Sequence, residues 1–168
     1  YAGIEEAEWI VEAVFESMAA KREVLGVVGQ RVDEDAVIST NTSTLSIDEL
    51  AEISGHPQCF IGLHFFNPPP AMKLVEIIPG SETLPDVIGA AEQLCERMSK
   101  GGIIAPDIPG FFVNRGFGAI LSSSIDIWAQ GAEPESIDQA IELGLAHRMG
   151  PLATADLVGL DVCLALLD

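Results

Sequence analysis

The sequence predicts an α/β sheet domain followed by an all-helical segment. Three observations carry this: short apolar runs of strand length alternate with stretches of helical apolar spacing through about residue 106; Asp107-Ile108-Pro109-Gly110 interrupts the alternation; and only helix-period patterns come after it. We therefore place one domain at 1–106 and a second at 109–168. With 168 residues, 48% of them apolar, the chain can bury one good core or parts of two. It starts inside a readable α/β pattern and stops inside an apolar run, so we read it as a fragment.

The elements follow in order. Trp9 to Val14 is an apolar run of strand length, and Met18, Leu25, Val28 and Val32 recur at helical spacing after it. Ala36 to Ser39 predicts a second strand, Asn41-Thr42-Ser43 a polar turn. Ser46 with Glu49 has the spacing of a capping box, opening a helix with Ile47, Leu50 and Ala51 inward and stopped at Ser54-Gly55-His56-Pro57. Cys59 to Phe65 and Lys73 to Ile78 predict two more strands. Between them stands Asn67-Pro68-Pro69-Pro70, which neither a helix nor a central strand accommodates. Thr83 is the expected cap of a helix whose Leu84, Val87, Ile88, Ala91, Leu94, Cys95 and Met98 form one apolar face, and Gly102 to Ala105 predicts the last strand.

Beyond Pro109, a stripe of Phe117, Ile120, Leu121, Ser124, Ile127 and Trp128 predicts a long helix ended by Gly131. Pro134 opens another, with Ile137, Ala140 and Ile141 inward, and Leu152 to Leu167 predicts a third.

Twenty-six acidic residues against 8 basic ones give a net charge of −18, scattered along the chain rather than gathered into a tail. Phosphate binding needs clustered Lys and Arg, so nucleic acid is not expected as a partner. The acids read as solvated helix faces or, alternatively, as an adaptation to high salt. Cys59, Cys95 and Cys163 form no close pair, which points away from a disulfide framework and from a CxxC metal or redox site. Mean hydropathy is positive, yet no run reaches the ~18 residues of a membrane span. A soluble, cytoplasmic protein that needs no metal and no membrane is the expectation.

Of three histidines, His64 stands where a strand runs into the proline loop, with Asn67 three residues on. Carboxyl ends of strands form the ligand crevice of open α/β sheets, so a reactive side chain belongs there. A lone strand-end histidine is nevertheless more often a satisfied structural residue. Glu76 shifts the balance, because it sits in the next strand, inside Leu74-Val75-Glu76-Ile77-Ile78, where an unpaired carboxylate is costly to bury. If the two strands are hairpin neighbours, Glu76 reaches one imidazole nitrogen of His64 and leaves the other to exchange a proton. The alternative is a Glu that meets a backbone amide or solvent at a sheet edge. Asn41-Thr42-Ser43 and Phe15-Glu16 follow other strands and converge on the same rim if the sheet is parallel there. On pattern alone, Ser43 is equally a turn residue, and Glu16 and Lys21 the solvated first turn of a helix.

Six motifs in order, Ser39-Thr40-Asn41-Thr42-Ser43-Thr44-Leu45, Gly62-Leu63-His64-Phe65-Phe66-Asn67-Pro68, Met72-Lys73-Leu74-Val75-Glu76-Ile77-Ile78, Pro109-Gly110-Phe111-Phe112-Val113-Asn114-Arg115, Met149-Gly150-Pro151 and Asp156-Leu157-Val158-Gly159-Leu160-Asp161, resemble those of 3-hydroxyacyl-CoA and 3-hydroxybutyryl-CoA dehydrogenases. The resemblance covers nearly the whole chain. It implies the C-terminal part of a Rossmann-like nucleotide-binding domain, followed by the start of the family's helical domain. It also implies NAD as cofactor, with NADP left open, an acyl-CoA substrate, and a homodimer formed through the helical domain. His64 would be the general base that takes the 3-hydroxyl proton as hydride leaves C3 for the nicotinamide, and Glu76 would orient and charge-stabilise it. Ser43 and Asn114 match residues that hydrogen-bond the substrate near its reacting oxygens. Glu16, Lys21, Asn41, Ser43 and Asn67 match positions lining the NAD site.

There are departures. The glycine-rich strand-turn-helix that opens the family's fold, and the acidic residue after it, are not in this sequence, nor is the later part of the helical domain. We therefore expect the fragment itself to be inactive. Leu145-Ala146-His147-Arg148 also stands where the family usually has Gly and Pro.

The resemblance implies an NAD-dependent oxidoreductase that interconverts (S)-3-hydroxyacyl-CoA and 3-ketoacyl-CoA in fatty-acid β-oxidation or butyrate metabolism. The same motifs also fit the dehydrogenase part of a multifunctional β-oxidation subunit. A non-catalytic structural or binding relative is disfavoured by the joint presence of His64, Glu76, Ser43 and Asn114. A lysine-dependent hydroxyacid dehydrogenase is disfavoured because Lys73 and Lys100 lie in no such motif.

Overall fold

The computed structural model describes residues 3–160, Cys163 and Leu164. Two compact units divide the chain, Tyr1–Phe111 and Phe112–Asp168. The first contains β1 (Trp9–Glu12), α1 (Met18–Val28), β2 (Val37–Thr40), α2 (Ile47–Ser54), β3 (Phe60–Phe65), β4 (Leu74–Pro79), α3 (Pro85–Arg97) and β5 (Gly101–Ile104).

Its five strands form one sheet in the order β1-β2-β3-β4-β5. β1, β2 and β3 run parallel, β4 returns antiparallel to β3, and β5 is parallel to β4. The carboxyl ends of β1, β2 and β3 therefore share one edge, where β4 begins. The β3–β4 register sets His64 directly opposite Glu76 and Gly62 opposite Ile78.

Side-chain alternation along these strands splits the core into two layers. On one face Phe60 and Ile78 pack with Ile38 of β2, Leu25 and Val28 of α1, and Ile47, Leu50 and Ala51 of α2. On the other, Ile61, Leu63, Val75 and Ile77 pack with Val87, Ala91 and Cys95 of α3. Gly62 allows α2 to lie close, since a Cβ there would come within 2.7 Å of Ile47 Cδ1. By the same two-residue period His64 and Glu76 face the α1/α2 layer, where Phe111 also packs.

The helix starts have identifiable donors and acceptors. Ser46 Oγ accepts the Glu49 amide, as one half of a capping box requires, while the Glu49 carboxylate pairs with Arg22 at 3.3 Å. Asp107 supplies a second acceptor for this end, taking the Ser46 hydroxyl and the Asp48 amide. The expected Thr83 cap is corrected. α3 starts from Leu84 and Pro85, and Thr83 Oγ1 donates to Phe60 O and accepts the Gly80 amide, tying the β4–α3 loop to β3.

The second unit contains α4 (Val113–Ala129), α5 (Pro134–Leu145) and α6 (Pro151–Val158). Gly118, Leu121 and Ser124 are the buried residues of α4, whereas Ile127 and Trp128, expected inward, are about half exposed. Ile137 is the buried residue of α5, and Ala140 is exposed. Asp138 of α5 accepts the Leu152 and Ala153 amides and so satisfies the start of α6 across the helix pair. Gly150 permits this approach, because a Cβ there would stand 2.2 Å from Asp138. The helix expected over Leu152 to Leu167 is interrupted at Gly159, at φ 107, ψ 134, where α6 ends, and Leu160, Cys163 and Leu164 are helical again beyond it. The part of it at 161–162 and 165–168 lies outside the described residues. Among the described residues no helix is long and apolar enough to cross a membrane.

Candidate active site

The parallel exits of β1, β2 and β3 carry the polar residues singled out in the sequence. At the end of β3, His64 is 4% exposed, and Glu76 on β4 is fully buried. Imidazole Nδ1 stands 2.7 Å from Glu76 Oε2, the geometry of an N–H donor on a carboxylate acceptor. This pairing uses Nδ1 and makes Nε2 the nitrogen through which the ring can exchange a proton. Two aromatic rings flank the imidazole: Phe66, at 4.7 Å between centroids, and Phe111, at 5.7 Å. Phe111 is fully buried at φ 48, just after Gly110 at φ 74, a left-handed turn that brings its ring back onto His64.

At the exit of β2, the side-chain oxygen of Asn41 accepts the Phe65 amide at 2.9 Å, and the backbone amide of Asn41 donates to Glu12 O at 2.8 Å. Asn41 thus stitches the ends of β1, β2 and β3 together one residue beyond His64. Ser43 is half-buried in the following turn, and its amide donates to Glu16 Oε1 at 2.7 Å. The same oxygen accepts the Thr42 hydroxyl and the Thr44 amide. Burial pushes the Glu16 carboxyl up, but the Thr42 hydroxyl, the Ser43 amide, the Lys21 ammonium and the Thr44 amide together outweigh it and hold it below the usual carboxylate range.

Lys21 is buried, not part of a solvated helix turn. Its Nζ donates to both carboxylate oxygens of Glu12, at 3.0 and 2.9 Å, and lies 3.5 Å from Glu16 Oε2. Asn67 is exposed in the loop after β3. Asn114 lies in the first turn of α4, in the second unit.

Among the sequence-selected residues of the first unit, the structure joins His64 with Glu76 and joins Glu16 with Ser43 and Lys21. Glu12, Thr40, Thr42 and Phe111 were not selected. Glu12 carried a usable signal, since it is a carboxylate inside the apolar run Trp9 to Val14, the same anomaly that marked Glu76. Phe111 carried a weaker one, its place directly after Gly110.

Parallel strands ending on one edge, an antiparallel return strand and a histidine–carboxylate pair at the strand ends define a Rossmann-like fold with a polar site at its carboxyl edge. Residues 1–108 match the family model for the 3-hydroxyacyl-CoA dehydrogenase NAD binding domain, and residues 110–168 match that for the 3-hydroxyacyl-CoA dehydrogenase C-terminal domain. A probable 3-hydroxybutyryl-CoA dehydrogenase of Bacillus subtilis is 40% identical over 98% of this chain and 58% of its own length. A 3-hydroxybutyryl-CoA dehydrogenase of Clostridioides difficile is 40% identical over 100% of this chain and 60% of its own. The crystal structure of (S)-3-hydroxybutyryl-CoA dehydrogenase PaaH1 from Ralstonia eutropha superposes with a TM-score of 0.91 at 38% identity, over 97% of this chain and 58% of that one. The chain belongs to the 3-hydroxyacyl-CoA dehydrogenase family, and it spans about three fifths of the length of the relatives it matches.

Proposed function

We propose that the full-length protein is an NAD-dependent oxidoreductase that interconverts (S)-3-hydroxyacyl-CoA and 3-ketoacyl-CoA, with residues 1–106 and 109–168 contributing parts of its nucleotide-binding and helical domains. The observation that carries this reading is the buried His64–Glu76 pair at the carboxyl edge of the sheet. A buried carboxylate at Nδ1 holds the ring in one orientation and favours the imidazolium that forms when Nε2 takes a proton. In oxidation His64 removes the 3-hydroxyl proton; in reduction its protonated ring donates to the developing alkoxide. Glu76 remains a carboxylate in both directions. Ser43 and Asn114 are assigned to hydrogen bonds on the substrate's oxygens, where they stabilise charge that develops during reaction.

The rim chemistry fits the cofactor. Glu16 keeps an exposed flank, its side chain 37% accessible, as a carboxylate that accepts from hydroxyl groups. Ser43 and Asn67 add hydroxyl and amide groups on the neighbouring loops. We assign Glu16, Ser43, Asn41 and Asn67 to the NAD side of the site, with Lys21 acting beneath them. When bound, NAD supplies the hydride acceptor.

We further propose a cytoplasmic homodimer formed through the helical unit. Large apolar side chains exposed on that unit, Leu143, Leu157 and Leu160 among them, support an apolar association there. The enzymatic proposal is tested by following NADH consumption with acetoacetyl-CoA. Turnover that disappears when free acetoacetate replaces the thioester is the expected result, and no NADH consumption with any short 3-ketoacyl-CoA overturns the reading.

A further inference from the structure

One buried charge cluster takes no part in the proton transfer assigned to His64. Lys21 is 0% exposed and the side chain of Glu12 1%. The three N–H donors of the Lys21 ammonium are matched by three carboxylate contacts, two to Glu12 and one to Glu16. Glu12 is in turn fixed by the Thr40 hydroxyl at the end of β2 and by the Val14 amide just past β1. A chain of contacts thus runs from the buried Glu12, through Lys21, to the partly exposed Glu16, and from Glu16 Oε1 to the amides of Ser43 and Thr44.

Core stability does not account for such an arrangement, because a packed apolar pair of similar volume is commonly as stable as a buried ion pair, or more so. What the ion pair does, and an apolar pair does not, is aim a charge at the exposed carboxylate on the rim. We propose that Glu12 is a positioning residue for the dinucleotide: by orienting Lys21 it fixes Glu16 and the Thr42–Thr44 turn in the arrangement that receives a ribose hydroxyl. This inference rests on the NAD reading above and names a residue outside the site assigned there.

The test is the double variant Glu12→Gln/Lys21→Met of the full-length protein, which removes both charges together and leaves neither ion buried alone. Three quantities are measured: thermal midpoint, hydrogen exchange at the Ser43 and Thr44 amides, and the NADH dissociation constant from cofactor fluorescence. Positioning predicts a folded protein with a midpoint near the parent's, exchange at those two amides faster by about 10-fold, and NADH binding weaker by roughly 5- to 10-fold. A folded double variant with parental exchange and parental NADH affinity overturns the inference alone. A parent that binds no NADH overturns the cofactor reading, and the inference falls with it. Should the double variant not fold, Thr40→Val decides, since it keeps both charges and removes one hydrogen bond to Glu12. NADH binding weakened by about 2- to 3-fold supports the inference, and unchanged binding overturns it.

Discussion

His64 and Glu76 are direct cross-strand partners in the β3–β4 register, with Nδ1 of the one 2.7 Å from Oε2 of the other. A hairpin return at this point of an otherwise parallel edge is what brings a carboxylate from β4 beneath an imidazole at the end of β3. The first prediction concerns the charge on that carboxylate. Glu76→Gln keeps the size and an acceptor oxygen for Nδ1–H but removes the negative charge that favours the imidazolium. Turnover should fall by roughly 10- to 100-fold while NADH affinity stays at the parental value. Stopped-flow rates together with a binding titration check this, and equal rates in the two proteins would show that the charge is not used.

How legible this was varies by residue. The pair itself could be read because Glu76 interrupts an apolar strand and because a proline loop between two strand-length runs makes them neighbours. The rim was legible from strand ends alone, since the exits of parallel strands share one edge. The environment of Lys21 was not. Its partner Glu12 sits on β1 and is itself held by Thr40 of β2, and no helical or strand period spans the nine residues between Glu12 and Lys21, so on pattern alone the lysine read equally as part of a solvated helix turn. Side-chain hydrogen bonds that cross elements also misled at Thr83, which has the right chemistry for a cap but spends its hydroxyl on Phe60 O. In the second unit the stripe through Ile127 and Trp128 gave the correct helix and the wrong degree of burial, because periodicity identifies a face and not what covers it.

Packing of α1 against α2 predicts opposite outcomes for two glycines three residues apart. A Cβ at Gly29 would fall 1.7 Å from the Ser54 carbonyl oxygen, so Gly29→Ala must push α1 and α2 apart and should destabilise by about 3 kcal/mol. At Gly26, inside α1, a Cβ meets nothing within 4 Å. Gly26→Ala should stabilise by about 0.5–1 kcal/mol through helix propensity. Urea midpoints of the two variants decide.

The end of α5 carries a correctable strain. Ala146 is its C-cap at φ 56, ψ 33, a left-handed conformation in which a Cβ is disfavoured. Ala146→Gly relieves this at some entropic cost in the unfolded chain, with an expected net gain of about 0.5 kcal/mol. A small rise in thermal midpoint is the expected reading, and a fall would mean the Ala146 methyl makes contacts that outweigh the backbone strain.

Glu16 predicts a pH dependence of defined sign. Its carboxyl is held below the usual range in the folded chain, burial being outweighed by Thr42, Ser43, Lys21 and Thr44. A depressed folded value means that the ionised group contributes stability above the unfolded pKa of ~4.3 and loses it as pH falls through the lower folded value. The thermal-midpoint advantage of the parent over Glu16→Gln should therefore be full near neutral pH and shrink in the acid window below that ordinary value. Solvent exposure of the group keeps the difference small. An advantage that grows on acidification contradicts the assignment.

The central claim, that His64 moves the proton, is tested most directly by the turnover of His64→Gln in the full-length protein with acetoacetyl-CoA and NADH. Glutamine is chosen over alanine because its amide still donates to the buried Glu76, so that folding is preserved while proton transfer is lost. The account predicts a fall in kcat of about 100-fold or more, with thermal midpoint and NADH affinity close to the parent's. A folded His64→Gln protein that turns over at near-parental rate would contradict it.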